Sequence, residues 1–219
     1  MKKIFVILLF LSINAFGQNH IEYKGEHINA LDENNEKTGI WKLYDEEKNI
    51  IITTEFKNGN FIADTNYYRD SKLLASYKYH DNIEIYKDSK TIKAKFFRKA
   101  DKSQTLIDQD GKELDSDILK FFYSSGQVMP MYYGGNNQLY DFIKKNIDYK
   151  SIKKNKGKVK VGFVIDAKGN TSEIEIIEST NAALNEEAKR IVGILPRWQP
   201  AHQGGAFVKC PYMIPIAFN

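Results

Sequence analysis

The sequence predicts an α+β protein in which N-terminal antiparallel β-hairpin repeats precede a small domain, a helix followed by a ββαβ unit. In the N-terminal half, aromatic residues recur about every ten positions with turn-forming clusters between them, which is typical of successive short strands. Near the C-terminus, two apolar/polar alternations and a segment of helical spacing precede a final alternation. These alternations predict a three-stranded antiparallel sheet.

Residues 1–17 have the features of a secretory signal peptide. Two lysines precede an apolar run, Ile4–Ile13, and small residues stand near Gly17, where cleavage is expected. Ten helical residues span only about 15 Å, whereas a bilayer core needs about 30 Å. We therefore expect export and a mature chain that begins at Gln18. The alternative is an uncleaved segment that anchors the protein in the inner membrane.

Composition places the chain among ordinary globular proteins. Of its 219 residues, 42% are hydrophobic and 27% charged, which suits two modest domains. The net charge of +4 falls to +2 without Lys2 and Lys3, too little to indicate nucleic-acid binding. Cys210 is the only cysteine, so no intramolecular disulfide is possible, and its parity in the final strand predicts that it faces the core.

The N-terminal half divides at about residue 38. Residues 18–38 are polar and lack a period, so we expect a flexible lead-in. Residues 39–126 form the predicted hairpin-repeat domain, with G-x-W-x-x-Y at Gly39–Tyr44 and an Asn58–Gly59 pair that favours a type I′ turn. The repeats resemble degenerate MORN-like hairpins. Since one hairpin cannot bury its own apolar face, successive hairpins are expected to stack or to extend one sheet.

No pattern in the sequence indicates an enzyme. Asp108–Glu113 resembles a calcium loop, but its glycine comes one ligand position early and the distal glutamate is missing, so we interpret it as a hairpin turn. The four histidines stand singly, and no nucleophile motif or phosphate-binding loop occurs. We predict no catalytic residue, no metal site and no cofactor. Further along, the apolar residues 119–122 are expected to pack between the two halves.

Residues 127–219 form the predicted C-terminal domain. After Gly134–Gly135, apolar residues at helical spacing predict one helix, and a second helix is expected to end before Pro196. The basic run at 144–158 is interpreted as a solvated helix end and loop, with contact to anionic envelope polymers as the alternative. We assign structural roles to the hairpin glycine and to the residues that lead into the last strand: Gly169, Trp198 and Pro200.

These motifs resemble the TonB C-terminal domain family over residues 128–219. The resemblance rests on "GKVKVGFVID", "DAKGN", "NEEAKRIV", the W-x-P element and "PIAF", with "YYGGNNQLYDFIKKNIDY" upstream. The family usually has proline before the Gly-Gly pair, where this chain has Tyr133. The resemblance implies a Gram-negative envelope protein, located in the periplasm, whose last strand accepts an extended segment of a protein partner, such as an outer-membrane receptor.

Strand parity predicts where such a segment binds. In the final strand, expected at Phe207–Phe218, the even residues form the apolar set and both prolines fall on the odd set. A proline at a central position would lose ladder hydrogen bonds, so the odd set should face the free edge. The predicted partner-binding residues are Phe207, Lys209, Pro211, Met213 and Pro215. The same edge also permits a homodimer.

The sequence therefore predicts a non-enzymatic envelope protein with a partner-binding C-terminal module. The first alternative is an anchored energy transducer or transport component that couples to an outer-membrane receptor. A second alternative places recognition in the hairpin repeats and leaves only docking to the C-terminal domain. The chain has five prolines, and none precedes Pro130, so the long Pro-rich spacer of transducers is absent from it.

Overall fold

The computed structural model describes residues 19–78, 82–87, 90–98, 104–114, 127–153, 155–203 and 205–219. The predicted signal peptide and the apolar residues 119–122 lie outside these ranges. The described residues form a long antiparallel sheet followed by a small domain with two α-helices and a three-stranded antiparallel sheet. The predicted α+β class is confirmed.

The N-terminal half is one meandering sheet of ten strands, in which nearly every strand pairs with its neighbours in sequence. The strands are β1 Asn19–Tyr23, β2 Glu26–Leu31, β3 Lys37–Asp45, β4 Ile50–Lys57, β5 Asn60–Phe61, β6 Thr65–Arg69, β7 Lys72–Lys78, β8 Asn82–Lys87, β9 Lys90–Arg98 and β10 Gln104–Asp108. The hairpins thus extend one sheet, which is one of the two arrangements expected. The Asn58–Gly59 pair turns the chain with φ values of 49° and 74°, which a type I′ turn requires.

The expected flexible lead-in at 18–38 is wrong for residues 19–31, which form β1 and β2. Lys24 and Gly25 both adopt positive φ, so they close a tight hairpin that the polar composition concealed. Ile28 and Leu31 are buried and fix the face of this hairpin against the next strands. The buried residues of β2 are Ile28, Asn29 and Leu31, and because this spacing does not alternate, the sequence of the strand gives no clear period.

The C-terminal domain packs two helices on one face of its sheet. Its elements are α1 Gly135–Asn146, β11 Gly157–Ile165, β12 Thr171–Ser179, α2 Asn185–Gly193, β13 Ala201–Gln203, β14 Ala206–Val208 and β15 Cys210–Phe218. The three-stranded sheet has the order β12-β11-β15, and β13 and β14 form a separate hairpin. Leu139 and Ile143 of α1, Ile191 of α2 and Phe218 of β15 share one buried core.

Two details differ from the sequence interpretation. The last strand begins at Cys210, because Lys209 interrupts it and Phe207 belongs to the preceding hairpin. At the second helix, a 3₁₀ turn over Ala182–Leu184 comes first, and Asn181 caps it by accepting a hydrogen bond from the Ala183 N–H. The Asp108 carboxylate accepts from the N–H groups of Asp110 and Lys112, so this segment is a hairpin turn.

Candidate functional site

Strand β15 lies at an edge of the three-stranded sheet. It pairs with β11 along all nine residues, from Cys210 opposite Ile165 to Phe218 opposite Gly157. Among the described residues, no strand pairs with its other side. The strand therefore presents one unpaired backbone edge.

The side chains of β15 alternate as parity predicts. Ile214, Ile216 and Phe218 are buried, whereas the odd residues from Pro211 to Ala217 are exposed. Met213 stands between the two prolines and is 53% exposed. In an antiparallel pair, the N–H and C=O of one residue point to the same side, so one parity bonds β11 and the other is left free.

The five residues assigned to the binding edge do not all lie on it. Pro211, Met213 and Pro215 do, with their side chains on the solvent-facing side of the sheet. Lys209 is exposed just before the strand and lies 3.7 Å from a carboxylate oxygen of Glu173. Phe207 is also outside β15: it lies on β14 and packs against Trp41 and Phe56 of the N-terminal sheet.

A groove of about 440 Å³ runs beside the C-terminal half of β15, between this strand and α1. Its floor includes Ile143 and Ile216, which are buried. Tyr140 and Tyr149 form its walls and remain 46% and 48% exposed. Aromatic and aliphatic lining next to an unpaired strand edge gives this side of the domain the character of a binding surface.

The residues around the W-x-P element hold the strand in place. Trp198 is 1% exposed, and its ring meets Tyr212 of β15 at 5.0 Å and Tyr132 at 5.3 Å between centroids. Pro200 is buried beside it. The Trp198 N–H donates to the Gly169 carbonyl at 2.8 Å, and a Cβ on Gly169 would lie 2.1 Å from the Trp198 carbonyl oxygen. Only glycine fits this approach, and its φ of 91° also favours glycine.

The middle residue of W-x-P joins the two halves of the chain. Gln199 is fully buried, and its side-chain oxygen accepts from the Tyr44 N–H at 2.7 Å while its amide nitrogen donates to the Tyr44 carbonyl at 2.8 Å. Its backbone pairs with Met131 in both directions. The Gln199 side chain therefore bonds both backbone groups of Tyr44, a strand residue in the other half. We call this contact between the two halves the junction.

Asn29 of β2 bonds Lys42 in the same way. Lys42 lies two residues before Tyr44 on β3. Its side-chain oxygen accepts from the Lys42 N–H at 2.6 Å, and its amide nitrogen donates to the Lys42 carbonyl at 3.0 Å. The same nitrogen also lies 2.6 Å from the hydroxyl oxygen of Tyr133. Burial raises the pKa of Tyr133 well above its usual range, so this hydroxyl stays neutral. Tyr133, where the TonB family usually has proline, thus contacts the N-terminal sheet.

Lys37 also lies where the two halves meet, among aromatic rings from both. Its ammonium lies 3.9 Å from the ring centroid of Phe207, 4.9 Å from that of Trp41 and 5.0 Å from that of Phe56. Burial lowers the pKa of Lys37 to about 8. Three aromatic faces stabilise a cation that is only 9% exposed. Sequence reasoning missed this lysine because it expected 18–38 to be a loop.

Among the described residues, no three or more His, Cys, Asp or Glu side chains are grouped as metal ligands. His20 and His27 stack at 4.1 Å across the first hairpin, and burial raises the pKa of the Cys210 thiol. No helix in the described ranges is long and apolar enough to cross a membrane.

Comparison with known families gives two matches, one in each half of the chain. The chain belongs to a family of unknown function, DUF6705, whose model matches residues 1–112. Residues 151–219 match the model of the Gram-negative bacterial TonB protein C-terminal. No curated protein and no solved structure gives a significant match.

These matches confirm the TonB resemblance for residues 151–219. Residues 151–219 therefore resemble a TonB-like envelope module; domains of that family are non-enzymatic and interact with proteins such as outer-membrane receptors. The MORN-like character of the hairpins stays a prediction.

Proposed function

We propose that this protein is a non-catalytic component of the Gram-negative envelope whose C-terminal module binds an extended segment of a protein partner by strand addition to β15. The observation that carries this proposal is the unpaired edge of β15. Main-chain hydrogen bonds supply affinity in this mode, and side-chain pockets supply specificity. We further propose that the protein is exported to the periplasm, as the features of residues 1–17 suggest.

The two prolines of β15 support this choice of edge. Pro211 is opposite Val164 and Pro215 is opposite Lys160, yet the pairing with β11 continues through both positions. A proline whose nitrogen faced β11 would leave a β11 carbonyl without its donor. The odd residues therefore direct their backbone groups away from β11. The free edge then offers the N–H groups of Met213 and Ala217, together with carbonyls at every second residue.

The junction supports a role for the N-terminal sheet in orienting this edge. Gln199 and Trp198 belong to the same short segment, one bonded to β3 and the other packed against Tyr212 of β15. The N-terminal sheet thereby contacts the segment that supports the binding strand, and it leaves the opposite edge of that strand uncovered. In this proposal the hairpin sheet serves as a platform and the C-terminal module as the recognition unit.

The proposal is tested with Met213→Pro, which removes the central N–H of the free edge. Affinity capture from a Gram-negative envelope fraction on the full chain identifies the partner, and titration with that partner gives the dissociation constants. We expect Met213→Pro to weaken binding at least tenfold, since a hydrogen bond of about 1 kcal/mol is lost and a ring is placed at the interface.

Met213→Thr is the matched control, because it keeps the N–H and suits a strand. It should bind within about threefold of the native chain, a difference below 1 kcal/mol. Pro211→Val, which adds a donor, should bind at least as tightly as the native chain. Strand addition to this edge is refuted by a partner that binds native protein and the Met213→Pro variant equally.

A further inference from the structure

We infer that the solvent-facing side of the three-stranded sheet holds a second recognition site, in which the segment added to β15 places an arginine or lysine side chain. This inference rests on the proposed function and names the chemistry of one residue of the segment. The site is a depression of about 420 Å³, which we call the outer notch. All three strands line it, with Gly162 of β11, Glu173, Glu175 and Ile177 of β12, and Pro211 and Met213 of β15 among the lining residues.

The outer notch lies over a glycine in the middle strand. Gly162 is opposite Glu175 on one side and opposite Met213 on the other, so the three residues form one row across the sheet. The centre of this row has no side chain, and its neighbours lean over it. A Cβ on Gly162 would lie 2.9 Å from Cδ1 of Ile177 and 3.4 Å from Cγ of Glu175. Directly opposed residues of neighbouring strands share one face of a sheet, so the residue of an added strand opposite Met213 continues this row on the notch side.

Distance favours the longest side chains at that position. Neighbouring strands lie about 4.8 Å apart, so the backbone of the added strand would lie two spacings, about 9.6 Å, from Gly162. A short side chain would reach only Met213. The stems of arginine and lysine can pass over Met213, and their methylene groups suit the exposed parts of the Met213 and Ile177 side chains. The charged group then reaches the part of the notch into which Glu175 leans.

The charges of the outer notch favour a cation. Its charged lining residues are Glu173 and Glu175, and both are exposed. Glu173 has Lys209 at 3.7 Å, whereas in the part of the chain that the structure describes no cation lies within ion-pair distance of Glu175. A guanidinium can donate two parallel hydrogen bonds to one carboxylate, so arginine should bind better than lysine. An acidic residue at the same position would meet like charge.

The experiment uses capped nonapeptides with a fluorescent label, in which valine occupies the even positions and threonine the odd ones. Valine can then face the groove beside α1 while the odd positions face the outer notch. The central residue, position 5, is arginine, glutamine or glutamate. Binding to the full native chain is measured by fluorescence anisotropy at low salt.

We expect the arginine peptide to bind about threefold to tenfold more tightly than the glutamine peptide, and the glutamate peptide to bind most weakly. Added salt should reduce these differences, because exposed charges are screened beyond about 10 Å at 0.1 M. A fourth peptide carries arginine at position 4 and threonine at position 5, which places the cation on the helix side. It should bind no more tightly than the glutamine peptide, and tighter binding than that of the first arginine peptide overturns the inference.

Two substitutions on β12 locate the effect. Glu175→Gln keeps the shape of the side chain and removes its charge, so it should abolish the preference for arginine over glutamine. Glu178→Gln is the matched control, because Glu178 lies on the same strand and the same face, opposite Lys160, but does not line the outer notch. It should leave the preference unchanged. Equal binding of the arginine and glutamine peptides, or equal effects of the two substitutions, overturns the inference.

Met213→Pro separates this inference from the proposed function. Equal binding of the arginine, glutamine and glutamate peptides that is lost in Met213→Pro retains strand addition and rejects the arginine site. If none of the peptides binds, or if binding is insensitive to Met213→Pro, strand addition of a partner segment at this edge fails and the inference fails with it. A dimer that Met213→Pro dissociates, with no peptide bound by the native chain, assigns the edge to a second copy and also overturns the inference.

Discussion

Replacement of Gln199 by methionine tests the junction between the two halves. Methionine is close to glutamine in length and volume, so the change removes the amide without opening a large cavity. The Tyr44 N–H and C=O would then lose the partners that lie 2.7 Å and 2.8 Å away. Tyr44 is buried, so bulk water does not replace these partners.

The cost follows from those two groups. A buried backbone donor or acceptor left without a partner costs about 1–3 kcal/mol, so the pair should cost about 2–6 kcal/mol in free energy of unfolding. For a chain of this size, that loss corresponds to a decrease in Tm of about 4–24 °C. It is a large part of the 5–15 kcal/mol that stabilises a typical domain.

Urea denaturation monitored by tryptophan fluorescence and circular dichroism measures this loss. Trp41 lies in the N-terminal core and Trp198 in the C-terminal core, so fluorescence reports on both halves. Gln203→Met is the control, because Gln203 is exposed on the β13–β14 hairpin that follows Gln199 and should change stability by less than about 0.5 kcal/mol. If Gln199→Met is as mild as Gln203→Met, the amide of Gln199 does not stabilise the junction.

Two further predictions concern buried side chains at the same junction. Trp198→Ala should lower the free energy of unfolding by about 3–5 kcal/mol in the same urea assay, because a large ring is removed from among Tyr132, Phe163 and Tyr212. A loss below about 1 kcal/mol would contradict this packing role. Because burial lowers the pKa of Lys37 to about 8, the unfolded chain holds this proton up to about pH 10.5 while the folded chain releases it earlier. The contribution of Lys37 to stability should therefore rise by about 1–3 kcal/mol between pH 8 and 10 relative to Lys37→Met, and equal pH dependence of the two proteins would contradict this.

Much of the C-terminal domain could be predicted from the sequence because its signals are local. The alternation of apolar and polar residues predicted which faces of β11 and β15 are buried. The conformational freedom of Gly169 predicted the hairpin turn. The junction could not be predicted in this way. Gln199 and Tyr44 are 155 positions apart, and a side-chain amide that bonds a distant backbone produces no periodic pattern in the sequence. Phe207 was placed on the edge strand because its neighbours continue the alternation, which does not reveal the break at Lys209.

The candidate site was located through parity rather than through any motif of reactive residues. Parity identified Pro211, Met213 and Pro215 on the exposed set of β15. It gave no information about the groove, because the groove forms where α1 lies beside a strand about 70 residues further along the chain.

The hydrogen bonds that the side-chain amides of Asn29 and Gln199 make to β3 have a consequence for the folding of a newly made chain. β2 pairs with β3 only at Thr38 and Lys37. On the side of β3 away from β4, the backbone groups of Lys42 and Tyr44 are therefore bonded by the side chains of Asn29 and Gln199 and not by a strand. Asn29 precedes β3 in the chain, but Gln199 follows Tyr44 by 155 residues, so nearly the whole chain must emerge before Gln199 can bond Tyr44. Until then the far end of β3 is an open sheet edge, of the kind that pairs with other chains. Truncated chains that end before the W-x-P element should therefore aggregate, whatever partner the finished protein binds.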